Sequence, residues 1–192
     1  MAKLIYGVGY NSKGRHKTRI NGTHTLVYKT WHSMLTRCYC AKLHARRPTY
    51  IGCSVADEWL DYQEFAQWFE NHEYSDRGYQ LDKDLLLPSN KVYAPDLCVF
   101  VPQELNKLLN GSSATRGQYP QGICWDTPTK KYKAQISLNG KIQHLGLFDT
   151  LQEAHQAYKE EKEAYVKRKA LEWQGRIADN VFDALMRWSL DS

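Results

Sequence analysis

Polar and apolar positions alternate most regularly between Tyr119 and Tyr158. Lys131-Tyr132-Lys133-Ala134-Gln135-Ile136-Ser137-Leu138 alternates with period two, the signature of a strand with one buried face. Asn139-Gly140 follows, a dipeptide suited to the positive φ angles of a two-residue hairpin turn, and Lys141 to Phe148 returns from it. Thr150-Leu151-Gln152-Glu153 reads as a capping box. The helix it opens has Leu151, Ala154, Ala157, Tyr158 and Tyr165 near one stripe and continues to about Trp173. Three strands backed by one helix follow from this pattern. If Tyr132, Ala134, Ile136 and Leu138 face the helix, then Lys131, Lys133, Gln135 and Ser137 face away from it. Lysines and amides without a carboxylate among them suit a polyanion; an ordinary solvated sheet face is the plain alternative.

Upstream, the first 24 residues show little periodicity and are expected as loop or short strand that orders on a partner. From about Thr25 the spacing turns helical, with Val27, Trp31, Met34 or Leu35, Cys38 and Tyr39 on one stripe. Lys29, His32, Thr36, Arg37 and Lys42 occupy the other side. Pro48 ends this run, and Ile51 to Val55 predicts a short strand. Asp61 and Glu64 open a second amphipathic helix that carries Leu60, Phe65, Trp68 and Phe69 and ends near His72. Strands are expected over Gln80–Leu87, Val92-Tyr93 and Cys98–Val101. Pro102 then starts a helix over Gln103–Leu109. Asn110-Gly111-Ser112-Ser113-Ala114-Thr115 has linker composition. Beyond Gly175, Ile177, Val181, Phe182, Leu185, Met186 and Trp188 stripe a last helix, whose apolar side must dock on the chain itself, on a second copy or on a host protein.

Charge changes this picture more than composition does. The 192 residues carry a net charge of +5, yet residues 1–56 hold ten Lys/Arg and no Asp or Glu. The whole positive excess lies in that quarter, supplemented by His16, His24, His32 and His44. A one-signed segment of this kind concentrates nucleic acid and repels itself, so Arg15, Lys17, Arg19, Arg37, Arg46 and Arg47 are candidate phosphate contacts. No apolar run approaches the roughly 18 residues of a bilayer span. The N-terminal stretch lacks a signal-peptide core, so a cytoplasmic chain with reduced thiols is expected. Cys38, Cys40, Cys53, Cys98 and Cys124 include no Cys-x-x-Cys pair. The first four are either buried single thiols or a structural metal site of unfamiliar spacing.

Two resemblances attach to these residues. Gly122-Ile123, Tyr132-Lys133-Ala134-Gln135-Ile136, Leu145-Gly146-Leu147-Phe148-Asp149-Thr150 and Glu153-Ala154-His155-Gln156-Ala157-Tyr158 resemble the Apetala-type (ethylene-response-factor) DNA-binding domain. The resemblance implies a three-stranded sheet laid in the major groove of double-stranded DNA. Lys133 and Gln135 are then the candidate base readers, flanked by Lys131, Ser137 and His144. Where the family carries arginines, this sequence has Cys124 and Ile142.

The second resemblance spans residues 28–108. Trp31-His32-Ser33-Met34-Leu35-Thr36-Arg37-Cys38-Tyr39, Val55 with Glu58-Trp59, Leu81-Asp82-Lys83-Asp84, and Asn90-Lys91-Val92-Tyr93 with Cys98-Val99-Phe100-Val101-Pro102 are similar to HNH-like bacteriophage proteins of homing-endonuclease type. These are often joined to an Apetala-type domain. The resemblance implies a metal-dependent nuclease finger of ββα-metal type, encoded by a phage and acting in its bacterial host. Asp82, Lys83, Asp84 and Asn90 are its candidate catalytic positions, and Asp82 and Asp84 its ligands for Mg²⁺ or another divalent metal. An HNH finger takes a histidine on its first strand as general base. Here that strand reads Asp82-Lys83-Asp84, and no histidine occurs between His72 and His144. Three readings of the aspartates stay open: metal ligands, parts of a degenerate finger that only grips DNA, or salt-bridged strand residues.

The chain is therefore expected to be α+β. A basic arm and HNH-like module would span residues 1–110, a linker 111–118, the Apetala-type domain 119–172 and a terminal helix 173–192. A DNA-binding protein is the expected function, with cleavage, regulation without cleavage, and inhibition of a host factor as its variants. A homodimer or a host protein are the candidate partners of the last helix.

Overall fold

The computed structural model describes residues 4–109 and 118–190, so the expected linker falls outside the described residues except for Gln118. The architecture is mixed α and β, with small separate sheets, and the chain divides into two compact units, Met1–Pro102 and Gln103–Ser192.

In the first unit, β1 (Arg19–Ile20) and β2 (Thr23–His24) form a tight antiparallel hairpin around Asn21-Gly22, both at positive φ. Thr25 caps α1 (Leu26–Tyr39), its hydroxyl accepting the N–H of Tyr28 at 3.2 Å. The short α2 (Ala41–Arg46) leads to a 3₁₀ turn at Pro48 and to β3 (Ser54–Val55). Asp61 caps α3 (Tyr62–Asn71) by accepting the N–H of Gln63 at 3.0 Å. The core lies between α1 and α3. Trp31, Met34, Leu35 and Cys38 from one helix meet Tyr62, Phe65, Ala66 and Phe69 from the other, with Trp59 between them. Trp31 and Tyr62 meet edge to face at 5.5 Å, as do Trp59 and Phe65 at 5.1 Å. Such pairs contribute about 0.5–1.5 kcal/mol each beyond their burial. The Trp31 indole N–H, buried with its ring, donates to the carbonyl of Trp59 at 2.7 Å.

The chain then forms β4 (Gln80–Asp82), β5 (Val92–Tyr93) and β6 (Val99–Val101). β3 pairs in parallel with β5, and β4 pairs antiparallel with β6. The strand expected over Gln80–Leu87 stops at Asp82. Its carboxylate accepts the N–H groups of Asp84 and Leu85 at 2.9 and 2.8 Å, which offers the backbone a turn in place of a ladder.

The basic N-terminal stretch is loop with two short strands, as its lack of periodicity suggests, and it lies against α3 of this unit. Gln63 explains much of this. Its side chain is buried, donates to Asn11 Oδ1 at 2.7 Å and to the carbonyl of His16, and accepts the N–H of His16 at 3.0 Å. The Tyr62 hydroxyl donates to the carbonyl of Lys17, and the N–H of Ser12 donates to Asp61. The chain between Tyr10 and Lys17 is thereby supplied with backbone partners that neither sheet nor helix provides.

The second unit begins with α4 (Gln103–Leu109) and continues to β7 (Ile123–Asp126), β8 (Lys131–Leu138) and β9 (Lys141–Phe148), an antiparallel sheet in the order β7-β8-β9. α5 (Leu151–Trp173) packs across all three strands, and α6 (Asp179–Arg187) packs on α5. The capping box is present: Thr150 accepts the N–H of Glu153, whose carboxylate accepts the N–H of Thr150. Ala134 and Ala154 are fully buried where strand and helix approach most closely. Tyr165 of α5 clasps the hairpin turn, its hydroxyl accepting the N–H of Asn139 at 3.1 Å and donating to Asn139 Oδ1 at 2.8 Å.

α4 is fastened to α5 by two buried lysines. Lys162 donates to the carbonyl of Leu108 at 2.6 Å, and burial lowers its pKa. Lys169 bonds Glu172 at 2.7 Å and Glu104 at 2.9 Å, and these carboxylates raise its pKa. The apolar stripe of the last helix docks within the chain, since Val181 and Leu185 are fully buried in the unit where α6 lies on α5.

Gly122 marks the tightest point of this unit. Its φ is +79°, and a Cβ there would lie 2.2 Å from the Tyr158 ring and 2.6 Å from the carbonyl of Gln135. Gly140, at φ +78°, has open space around it. Gly140→Ala is therefore expected to cost only the left-handed backbone penalty of about 1–2 kcal/mol. Gly122→Ala adds overpacking of about 1–3 kcal/mol. Urea unfolding of the two variants checks this, and equal losses would contradict the close approach of strand and helix.

Candidate nucleic-acid interface

Two places carry the chemistry anticipated from sequence: the turn after β4 and the uncovered face of the C-terminal sheet. At the first, every candidate residue is engaged within the fold. Lys83 is buried, and its ammonium bonds the Asp84 carboxylate and the carbonyl of Asn90 while lying over the Tyr93 ring, 5.8 Å from its centroid. Asn90, also buried, donates to the carbonyls of Lys83 and Val92, both at 2.8 Å, and accepts the N–H of Val92 at 3.0 Å. It fastens the long loop between β4 and β5. Asp82 closes the turn already described. Burial pushes its carboxyl above the usual range, against the N–H groups of Leu85 and Asp84 that pull it down.

These donors do not fit a divalent metal. Asp84 lies beyond the end of β4, so the two aspartates expected as ligands do not share a strand. The Lys83 ammonium occupies the cation's place beside Asp84, and Asp82 Oδ1 is committed to two backbone donors. Burial also pushes the thiols of Cys38 and Cys98 up to about 12, with Cys53 adding to the effect at Cys38, so both are held as neutral thiols. Among the described residues, no three His, Cys, Asp or Glu side chains are grouped to hold a metal ion. The order strand, loop, strand, helix exists as β4, β6 and α4, but α4 belongs to the second compact unit.

Arg37, expected among the phosphate contacts, turns inward. It donates to the carbonyl of Leu81 and to the Tyr93 hydroxyl, both at 3.2 Å, giving partners to groups of two buried strand residues. Arg15 is exposed but shares Glu70 with His16, whose ring meets that carboxylate at 3.0 Å. The cause is sequential: residues 57–76 carry seven acids and no Lys or Arg, and α3 brings part of that run against the arm. Lys17, Arg19, Arg46 and Arg47 are exposed. Arg19 bonds His24 across the β1–β2 hairpin.

On the C-terminal sheet, the two-residue turn sets the register and the register sets the faces. Leu138 pairs with Lys141, Ser137 with Ile142, Ile136 with Gln143 and Gln135 with His144. A bulge then intervenes, after which Ala134 pairs with Gly146, Lys133 with Leu147 and Tyr132 with Phe148. The bulge adds Leu145 and reverses the parity of β9. Leu145 and Phe148 can therefore both pack against the helix-side core of Ile123, Ala134 and Ala154. Without it, Phe148 would point outward. β7 adds Cys124 beside Lys133 and Asp126 beside Lys131.

The uncovered face consequently has four rows across the strands: Asp126 with Lys131; Cys124, Lys133 and Leu147; Gln135 with His144; Ser137 with Ile142. The five residues anticipated from sequence, Lys131, Lys133, Gln135, Ser137 and His144, lie together on it. Their surroundings differ from expectation in two respects. Carboxylates are present: Asp149 bridges Lys131 at 3.0 Å. Asp126 accepts the hydroxyl and N–H of Thr129, which hold its carboxyl below the usual range, with Lys133 and His144 adding to the effect. The cationic character thus falls on the middle of the face, at Lys133 and His144. The second difference is apolar: Ile142 is 73% exposed and Leu147 39%. Counting across the Asn139-Gly140 turn, which sets Ile142 opposite Ser137, could have placed Ile142, but nothing in the sequence announced the bulge that turns Leu147 outward.

No family model, curated protein or solved structure matches this chain.

The turn after β4 generates a test. Asn at position 82 keeps the Oδ1 acceptor and removes a buried charge. A carboxyl whose folded pKa is raised contributes stability below its unfolded pKa and loses it as pH rises through the folded value. Asp82→Asn should therefore melt no lower than the parent at pH 7, whereas Asp82→Ala strands two N–H groups at about 1–3 kcal/mol. Thermal melts at pH 4 and 7 read both, and an Asn variant as unstable as the Ala variant would overturn the turn-closing role.

Proposed function

We propose that this chain is a double-stranded DNA-binding protein that reads base edges with the uncovered face of its C-terminal sheet. The observation that carries this reading is the convergence of Lys133, Gln135 and His144 on adjacent strands of one uncovered face, with the opposite face sealed by α5. Lysine reaches the O6 and N7 acceptors of guanine, and an amide can bridge N6 and N7 of adenine. A sheet face of this kind suits the major groove, which admits a β-ribbon as well as a helix. Exposed Lys17, Arg19, Arg46 and Arg47 of the first unit supply phosphate contacts that hold without reading.

On this reading the first unit is an HNH-like scaffold of the bacteriophage type that grips DNA and does not cut it. The engagement of Asp82, Lys83 and Asn90 in closing a loop supports the catalytically silent variant over the nuclease. The burial of Val181 and Leu185 weighs against a host-factor inhibitor acting through the last helix.

Lys133→Ala with Gln135→Ala should weaken binding to the preferred duplex roughly thirty-fold or more, at about 1 kcal/mol or more per base contact, with an unchanged circular dichroism spectrum. Undiminished binding would remove the sheet as reader. Arg46→Ala with Arg47→Ala should weaken all duplexes alike and flatten the slope of log affinity against log salt by about 2. An unaltered slope would remove these arginines from the interface. Plasmid incubated with Mg²⁺ or Mn²⁺ should stay uncut, and cutting abolished by Asp84→Ala would reinstate the nuclease.

A further inference from the structure

We infer that the uncovered sheet face recognises thymine through its C5-methyl group, with Ile142 as the residue that touches it; this rests on the DNA-binding reading above. Ile142 is 73% exposed, the highest figure among the exposed large hydrophobic residues, and as the second residue of β9 it is held in the ladder opposite Ser137, one row in from the hairpin turn. It belongs to neither buried cluster, so what it adds to the sheet is a β-branched residue's strand preference and not core burial. Its register partner is Ser137, and the next row toward the strand centre is Gln135 with His144. Leu147 stands outward two rows from Ile142, beside Lys133. An apolar group therefore flanks the polar pair on each side.

This alternation matches the chemistry of the major groove. There an A·T pair offers a donor and two acceptors together with one apolar group, the methyl of thymine. Gln135 can take the adenine edge while Ile142 covers the methyl of the same or a neighbouring pair. Lys133 and Ser137 are four residues apart on β8, so their rows are separated by roughly 13 Å, or about four base-pair steps. The contacts from Leu147 to Ile142 thus span a short site containing thymine at the Ile142 end. Charge complementarity favours DNA as the occupant over a second apolar protein surface. Lys133 and His144 lie among these apolar groups, and the carboxylates Asp126 and Asp149 keep to the far end beside Lys131.

The test removes the methyl and nothing else. Duplexes preferred by the full chain are selected from a random pool, then remade with deoxyuridine in place of thymidine, one position at a time. Loss of one buried methyl corresponds to about 0.8 kcal/mol, so the parent protein should lose roughly four-fold in affinity at the position covered by Ile142. Ile142→Ala should bind the thymine and uracil forms of that duplex equally, while Leu147→Ala keeps the discrimination at that position. Ile142 is exposed, so the variant should lose at most the strand preference of about 1 kcal/mol and stay folded, and a melt confirms that the comparison is between folded proteins. A parent protein indifferent to uracil at every position overturns the methyl readout and leaves DNA binding intact. Discrimination that survives Ile142→Ala overturns the assignment to this residue. Failure to enrich any duplex overturns the DNA-binding reading, and this inference with it.

Discussion

One helix covers one face of a sheet, and every property of the C-terminal unit depends on that limit. α5 seals Ala134 and Ile123 against Ala154 and Ile136 is buried on the same face, which forces Lys133, Gln135 and Ser137 to the other side because strand residues alternate. The Tyr165 hydroxyl holds Asn139 at the turn, so the sheet cannot slip along the helix and carry the wrong residues outward. The contact at Gly122 does the same midway along β8, beside Gln135, where only a residue without Cβ fits beneath Tyr158. The face proposed to meet DNA is thus a consequence of how tightly its reverse is packed.

The first unit shows what burial does to polar side chains. Lys83, Asn90, Arg37 and Asp82 have the residue types of a catalytic turn, yet each is hydrogen-bonded to a neighbour within the fold. Leaving any of them unpaired in this interior would cost about 1–3 kcal/mol, more for the charged groups. The network therefore serves to join α1, β4, β5 and the loop between the strands. A lysine ammonium beside Asp84 leaves that carboxylate with the opposite of what a metal ligand needs, a cation already in place.

Charge follows a related rule. The acid-free segment 1–56 is followed directly by the base-free run 57–76, and folding lets Glu70 answer Arg15 and His16. Gln63 and Tyr62 give the arm its backbone partners, and its remaining exposed cations, Lys17 and Arg19, are held on a stapled backbone. Such presentation lowers the ordering cost of any contact they make.

The sequence by itself determined the elements whose signals are local. The alternation of Lys131–Leu138, the Asn139-Gly140 turn, the Thr150/Glu153 capping box and the stripe of α1 each depend on residues within a few positions of one another, and each is present. Asn21-Gly22 is the same dipeptide at another hairpin turn, but the strands of two residues on either side of it are too short to show a period. The outward placement of Lys133, Gln135 and Ser137 followed from period two alone. Tertiary structure decided what depends on distant partners. Arg37 turns inward because Leu81 and Tyr93, over forty positions away, need a donor. Asp82 ends its strand in place of lining it. The bulge at Leu145 exposes Leu147 because the core has room for Leu145 and Phe148 on one side. Local pattern says which way a side chain points only until burial elsewhere demands that it point another way.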